Sequence, residues 1–170
     1  MYLTANEKGR KAEQTAEQYF TKHKLNYIDV RNNPEYWKTD IDYIVDELGT
    51  VEVKYNYYDA LRGMLGQFIR FELYMNNEPK GWWFFTTADY FLFFNEFNNG
   101  LLIKNDYKLS NYINDAIKNG NHSNYGNNRF DTIVDIVGSN YKEVTLMRAY
   151  VTDLINNNIE ITKIVNRKII

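Results

Sequence analysis

Apolar residues recur at helical spacing near the start of the chain, where Ala12, Ala16, Tyr19 and Phe20 share one face of a predicted helix. Thr4 and Glu7 have the T-x-x-E spacing of a capping box, which marks where that helix begins. His23 and Lys24 mark its end, where basic side chains suit the negative pole of the helix. Gly9, Glu13, Ala16 and Phe20 follow the same rhythm and set Glu13 at the border of the buried face. Positions 25–30 predict a strand, and a loop, RNNPEYWKT, follows. Two runs that alternate with period two, 40–45 and 51–55, flank DELGT and predict a hairpin. Alternation collects Ile41, Tyr43, Val45, Val51, Val53 and Tyr55 on one face and leaves Asp40, Asp42, Glu52 and Lys54 on the other. A connection of about three or five residues sets Asp42 opposite Glu52 and Asp40 opposite Lys54.

Farther along, Ala60, Leu61, Met64, Leu65, Phe68, Phe71, Leu73 and Met75 predict a second helix over 59–75, with Gly63, Gly66, Gln67 and Arg70 on its narrow face. Strands are predicted at 82–87, 90–94 and 101–104, a helix at 109–118, a polar loop at 119–128, and late strands at 130–137 and 144–151. This order suggests an α/β fold in which helices flank a central mixed sheet. With 170 residues the chain is expected to form a single domain over 1–170, able to bury roughly 70% of its unfolded surface.

Composition narrows the chemistry. There is no cysteine, and His23 and His122 are the only histidines. Disulfide scaffolds, thiol nucleophiles and all-protein zinc sites are thereby disfavoured, so a metal would sit on oxygen. Lys and Arg total 20 against 22 Asp and Glu, a net charge of −2, which speaks against coating nucleic acid by bulk charge. The N-terminus is polar and the longest apolar run, 90–94, is far too short to span a membrane. A soluble, cytoplasmic protein is the expectation.

The polar face of the hairpin carries the candidate chemistry. Neighbours on one face of a hairpin lie about 4.5–5.5 Å apart, and two like charges at that distance repel by a few kcal/mol at an effective dielectric of about 20. A divalent cation reverses that sign. Mg²⁺, with Mn²⁺ as its expected substitute, takes oxygen ligands and keeps several waters, so Asp42, Glu52 and a backbone carbonyl such as that of Val53 make a reasonable site. Lys54 would orient a water or stabilise charge developing on phosphorus. The plainer alternative is a solvated face on an edge hairpin, with Lys54 as a guard against strand pairing. Glu13 has a plainer reading too, as a partner of Arg10 or a solvated residue, and Glu17 one turn on is its rival.

Asp42 followed by Glu52-Val53-Lys54, with Glu13 in an upstream helix, resembles the D…(D/E)-x-K core of the PD-(D/E)xK nuclease superfamily. Gly9-x-x-x-Glu13-x-x-Ala16-x-x-Tyr19-Phe20 is similar to the first-helix motif of its Holliday-junction-resolvase-like branch. The resemblance spans about residues 8–75 and implies a restriction-endonuclease-like αβββαβ core. It also implies metal ligation by Asp42 and Glu52 with help from Glu13, assistance to the attacking water by Lys54, and a place beside the site for Gln67. Gln67 reads equally as a surface residue on a closely packed helix. Lys38-Thr39 stands before Asp40 where the family pattern has a proline, which leaves Asp40 a competitor of Asp42.

Lys8, Arg10, Lys11, Arg62 and Arg70 would form a basic rim that clamps phosphates around the acidic hairpin. So few cations imply modest, strongly salt-sensitive affinity for DNA, which a homodimer would raise. The function implied is that of a metal-dependent DNA endonuclease, acting on branched or structured DNA. The alternative is a catalytically silent module of the same fold that binds nucleic acid or a protein partner.

Overall fold

A computed structural model describes residues 4–55, 68–76, 78–95, 98–118, 130–137 and 140–164. The first helix, α1 (Ala5–Lys22), starts where its capping box requires: the Thr4 hydroxyl accepts from the Glu7 amide, and the Glu7 carboxylate accepts from the Thr4 amide at 2.7 Å. Strands β1 (Tyr27–Asp29), β2 (Tyr43–Val45) and β3 (Gly49–Tyr55) follow, then β4 (Phe68–Met75), β5 (Tyr90–Phe94) and β6 (Gly100–Lys104). Helix α2 (Tyr107–Lys118), strands β7 (Phe130–Val137) and β8 (Asn140–Tyr150), helix α3 (Val151–Asn156) and β9 (Ile161–Ile164) complete the order.

The strands form two sheets. The larger runs β1-β2-β3-β5-β6-β9 and is mixed, its β3–β5 pair parallel and its other pairs antiparallel. The smaller runs β4-β8-β7 and is antiparallel throughout. This is the α/β class with a central mixed sheet. Helix α1 covers one face of the large sheet, packing Ala12, Ala16 and Phe20 onto Tyr43, Val51, Val53 and Leu92. The other face meets the small sheet together with α2 and α3, through Ile69, Phe71, Leu73, Phe91, Phe93, Ile113 and Leu154. The alternation of β3 therefore sorts its side chains between two cores: Val51 and Val53 turn toward α1, Glu52 and Lys54 toward the small sheet.

The hairpin has the expected register. Tyr43 pairs with Val51 and Val45 with Gly49 across a turn that contains Glu47 and Gly49 at positive φ. The pairing ends at Tyr43, and the Asp42 carboxylate just beyond it lies near enough to Glu52 to raise it. Ile41 departs from expectation. It leaves the face of Tyr43 and Val45 and joins the opposite core, because the chain turns at Asp40 (φ 51°) before β2 begins.

Two element assignments are corrected. The second helix was expected to run to 75, but 68–75 is strand β4, with Ile69, Phe71 and Leu73 fully buried at alternate positions. An apolar run rich in aromatic residues satisfies either period, and here pairing with β8 decides. Arg70, expected on a helix, accordingly lies on β4 opposite Arg148. The other correction concerns 82–87, where Trp82–Phe84 is a 3-10 turn and not a strand. Gly81 packs so closely on the β4 backbone that an added Cβ would lie 2.2 Å from the Glu72 carbonyl oxygen, and the chain turns there. The start of the expected helix, with Arg62, Gly63, Gly66 and Gln67, lies outside the described residues.

Candidate functional site

Strand β2 begins at Tyr43, and the residues just before it shape the site. The Asp42 amide donates to the Val51 carbonyl at 3.1 Å, on the same residue that pairs with Tyr43. The Asp42 side chain then replaces the next strand residue: its Oδ2 accepts from the Val53 amide at 2.8 Å. In a strand the C=O of a residue points to the same edge as its N–H, so the Val53 carbonyl lies on the edge that Asp42 occupies. One carboxylate is thus anchored at the open half of β3.

Glu52 is 2% exposed, which overturns the solvated reading of this face for that residue. Its neighbour across the parallel pair is Phe91, and Lys54 stands beside Phe93. Phe71 from the small sheet and Trp82 from the 3-10 turn pack against both phenylalanines. Within this aromatic setting Lys54 Nζ contacts Glu52 Oε1, lies 2.9 Å from Asp40 Oδ2, and sits 4.9 Å from the centre of the Trp82 ring. The other oxygen, Glu52 Oε2, is buried with no hydrogen-bond partner.

Among the described residues, Lys54 is the cation in contact with Asp40 and Glu52. Burial raises Asp42 to about 6, with further upward pressure from Glu13 and Asp40, opposed by the Val53 amide and Lys54. Burial likewise holds Glu52 well above the usual carboxylate range, only partly relieved by Lys54. Lys54 moves the other way in its chemistry. Burial disfavours its charge, but Glu52 and Asp40 outweigh burial and keep the ammonium firmly protonated. A buried carboxylate pair raised toward neutrality is an electrostatic setting in which added positive charge is favourable.

Glu13 projects from α1 toward this region, near enough to raise Asp42, but its Oε2 accepts from Arg31 at 2.5 Å. Arg31 also contacts Glu17 at 2.7 Å and Asp29 at 2.5 Å, and stacks 4.9 Å from the centre of the Tyr43 ring. Glu17, the rival of Glu13, shares this guanidinium and also accepts from the Tyr43 hydroxyl at 2.9 Å. Burial and that donated bond hold Tyr43 well above the ordinary tyrosine range. Sequence reading missed Arg31 because an isolated arginine after a strand carries no periodic or motif signal. The fold alone brings it under α1.

Of the expected basic rim, Lys8, Arg10 and Lys11 lie on the first half of α1, with Arg10 exposed. Arg70 is on β4, its guanidinium 5.4 Å from the Phe68 ring centre, and Arg62 and Gln67 lie outside the described residues.

Among the described residues, no three His, Cys, Asp or Glu side chains form a ready metal-binding group. The donor set on hand is smaller: Asp42, Glu52 with its unpartnered oxygen, and the Val53 carbonyl. Such a set fits a hard cation that retains much of its water, as Mg²⁺ does. No helix among the described residues is long and apolar enough to cross a membrane. No family model, curated protein or solved structure matches the chain.

Proposed function

We propose that the chain is a metal-dependent DNA endonuclease that hydrolyses phosphodiester bonds by in-line attack of water, acting on branched or structured DNA. The observation that carries this reading is Glu52: a buried carboxylate with one oxygen on Lys54 and the other unpartnered, with the Asp42 carboxylate nearby. A purely structural ion pair gains nothing from leaving a buried oxygen unsatisfied, which typically costs about 1–3 kcal/mol.

Asp42, Glu52 and the Val53 carbonyl would hold the cation, with Glu13 adding negative charge from α1. What Mg²⁺ or Mn²⁺ supplies when bound is Lewis acidity, which offsets phosphate charge and acidifies water. Lys54 has three donors and is steadied by Asp40 and Trp82, so it is available to donate to the phosphoryl oxygen on which charge grows. Asp40 is the hydrogen-bond partner that keeps Lys54 in place when Glu52 is committed to the cation. On this reading Asp42 is the ligand and Asp40, which contacts Lys54, the holder of the lysine.

The test is incubation of the purified chain with supercoiled plasmid and with a branched DNA substrate in Mg²⁺, Mn²⁺ or EDTA. Nicking that requires the metal is expected, with Glu52→Ala and Lys54→Ala each slower by about a hundredfold or more. No metal-dependent nicking by the native chain, or nicking at the native rate by both variants, overturns the proposal.

A further inference from the structure

Trp37 lies in the loop between β1 and β2 and is 66% exposed, an unusual setting for an indole. The loop that presents it is braced throughout. Asn33, Tyr36 and Thr39 amides donate to the carbonyls of Val30, Asn33 and Tyr36, and the Thr87 amide donates to the Thr39 carbonyl at 3.1 Å. Tyr36 packs on the core beside it, and the Trp37 indole N–H donates to the Arg31 carbonyl at 2.9 Å. The ring is therefore held in place while most of it stays in water, so little conformational entropy remains to be lost on contact.

Both ends of the loop belong to the candidate site. Arg31 at its start holds Glu13, and Asp40 at its end holds Lys54. Trp37 stands three residues before Asp40, so their Cα atoms are at most about 11 Å apart. At a rise of about 3.4 Å per nucleotide, that is a reach of roughly three nucleotides along a strand. Lys38, next in sequence and exposed, adds a cation beside the ring. An aromatic platform with an adjacent cation is the chemistry that holds single-stranded nucleic acid, because every unpaired base offers a face to stack.

We infer that Trp37 is a stacking platform for an unpaired nucleobase of a DNA strand engaged at the Glu52–Lys54 site, so that the preferred ligand contains single-stranded DNA near the phosphate addressed. The inference rests on the nucleic-acid reading of that site but not on its catalytic competence. A base within a duplex has its faces covered by its neighbours and would not satisfy the ring.

Fluorescein-labelled single-stranded and duplex oligonucleotides of one sequence, titrated with the full chain in EDTA and followed by anisotropy, test it. The native chain is expected to bind the single strand more tightly, Trp37→Ala to lose roughly five- to hundredfold in that affinity, and Trp37→Phe to keep most of it. Duplex affinity should change little, and circular dichroism of Trp37→Ala should match the native chain because the side chain is exposed. Unchanged single-strand affinity in Trp37→Ala, equal loss in Trp37→Phe, or no DNA binding at all overturns the inference. So does a self-association that Trp37→Ala abolishes while DNA binding persists, which would make the ring a protein contact. Trp37-dependent binding without metal-dependent nicking supports the platform and refutes the nuclease reading. Nicking with no effect at Trp37 does the reverse.

Discussion

At Asp42, burial and neighbouring carboxylates hold the folded-state pKa near 6, above the value near 3.8 of an unfolded aspartate. Between these values the native state retains a proton that the unfolded chain has released, so raising the pH through this window draws stability from the fold. The contribution is lost as pH climbs from about 4 to about 6 and stays lost above. Asp42→Asn keeps an oxygen for the Val53 amide and removes the titration. Relative to the native chain, that variant should therefore gain up to about 3 kcal/mol on moving from pH 4 to pH 8. Urea unfolding of both proteins at the two pH values measures this difference. A constant difference across the window would show that Asp42 is not the titrating carboxylate.

At the scale of elements, the β2–β3 hairpin brings Asp42 near Glu52, and Gly49, the first residue of β3, guards its register. It has φ +89°, a conformation that disfavours side chains, and an added Cβ would lie 2.4 Å from Asp89 Oδ2. Asp89 is already engaged there, accepting from the Thr50 amide and hydroxyl, each at 2.8 Å. Gly49→Ala should cost about 1–3 kcal/mol, read as a lower urea midpoint at unchanged slope. If the proposed function is right, it should also slow nicking, since a displaced β3 moves Glu52 and Lys54 relative to Asp42. The parallel β3–β5 pair supplies the aromatic floor by the same logic, placing Phe91 and Phe93 beside Glu52 and Lys54.

Across the whole molecule, the small sheet turns a charged hairpin face into an interior. Phe71 and Trp82 reach Phe91 and Phe93 across the layers, and Glu52 is enclosed beneath them. Burying a carboxylate with an unsatisfied oxygen sacrifices stability, a pattern expected where the group serves a ligand. Glu52→Gln should therefore leave the metal-free fold as stable as the native one, or more stable by about 1–2 kcal/mol. Millimolar Mn²⁺ should raise the melting temperature of the native chain and leave that of Glu52→Gln unmoved, because a ligand stabilises only the state that binds it. Thermal unfolding with and without Mn²⁺ checks both statements, and equal shifts in the two proteins would place the cation elsewhere.

Much of this was legible in the residues themselves. The capping box of α1, the border position of Glu13, the register of Tyr43 with Val51 and strands β5 and β6 all follow from local spacing, because main-chain geometry converts period directly into face. The absence of cysteine and scarcity of histidine likewise confined candidate metal chemistry to oxygen donors before any contact was known. Other features depend on residues far apart in the chain. Whether 68–75 is helix or strand was decided by β8, some seventy residues later, since the apolar run suits both periods. Arg31 meets Glu13 and Glu17 only because the fold brings the residues after β1 to the side of α1. Sequence alone determined which side chains of β3 share a face. Only the tertiary structure decided that this face is closed over at Glu52, because exposure depends on what packs above a strand and alternation records only the side to which a residue points.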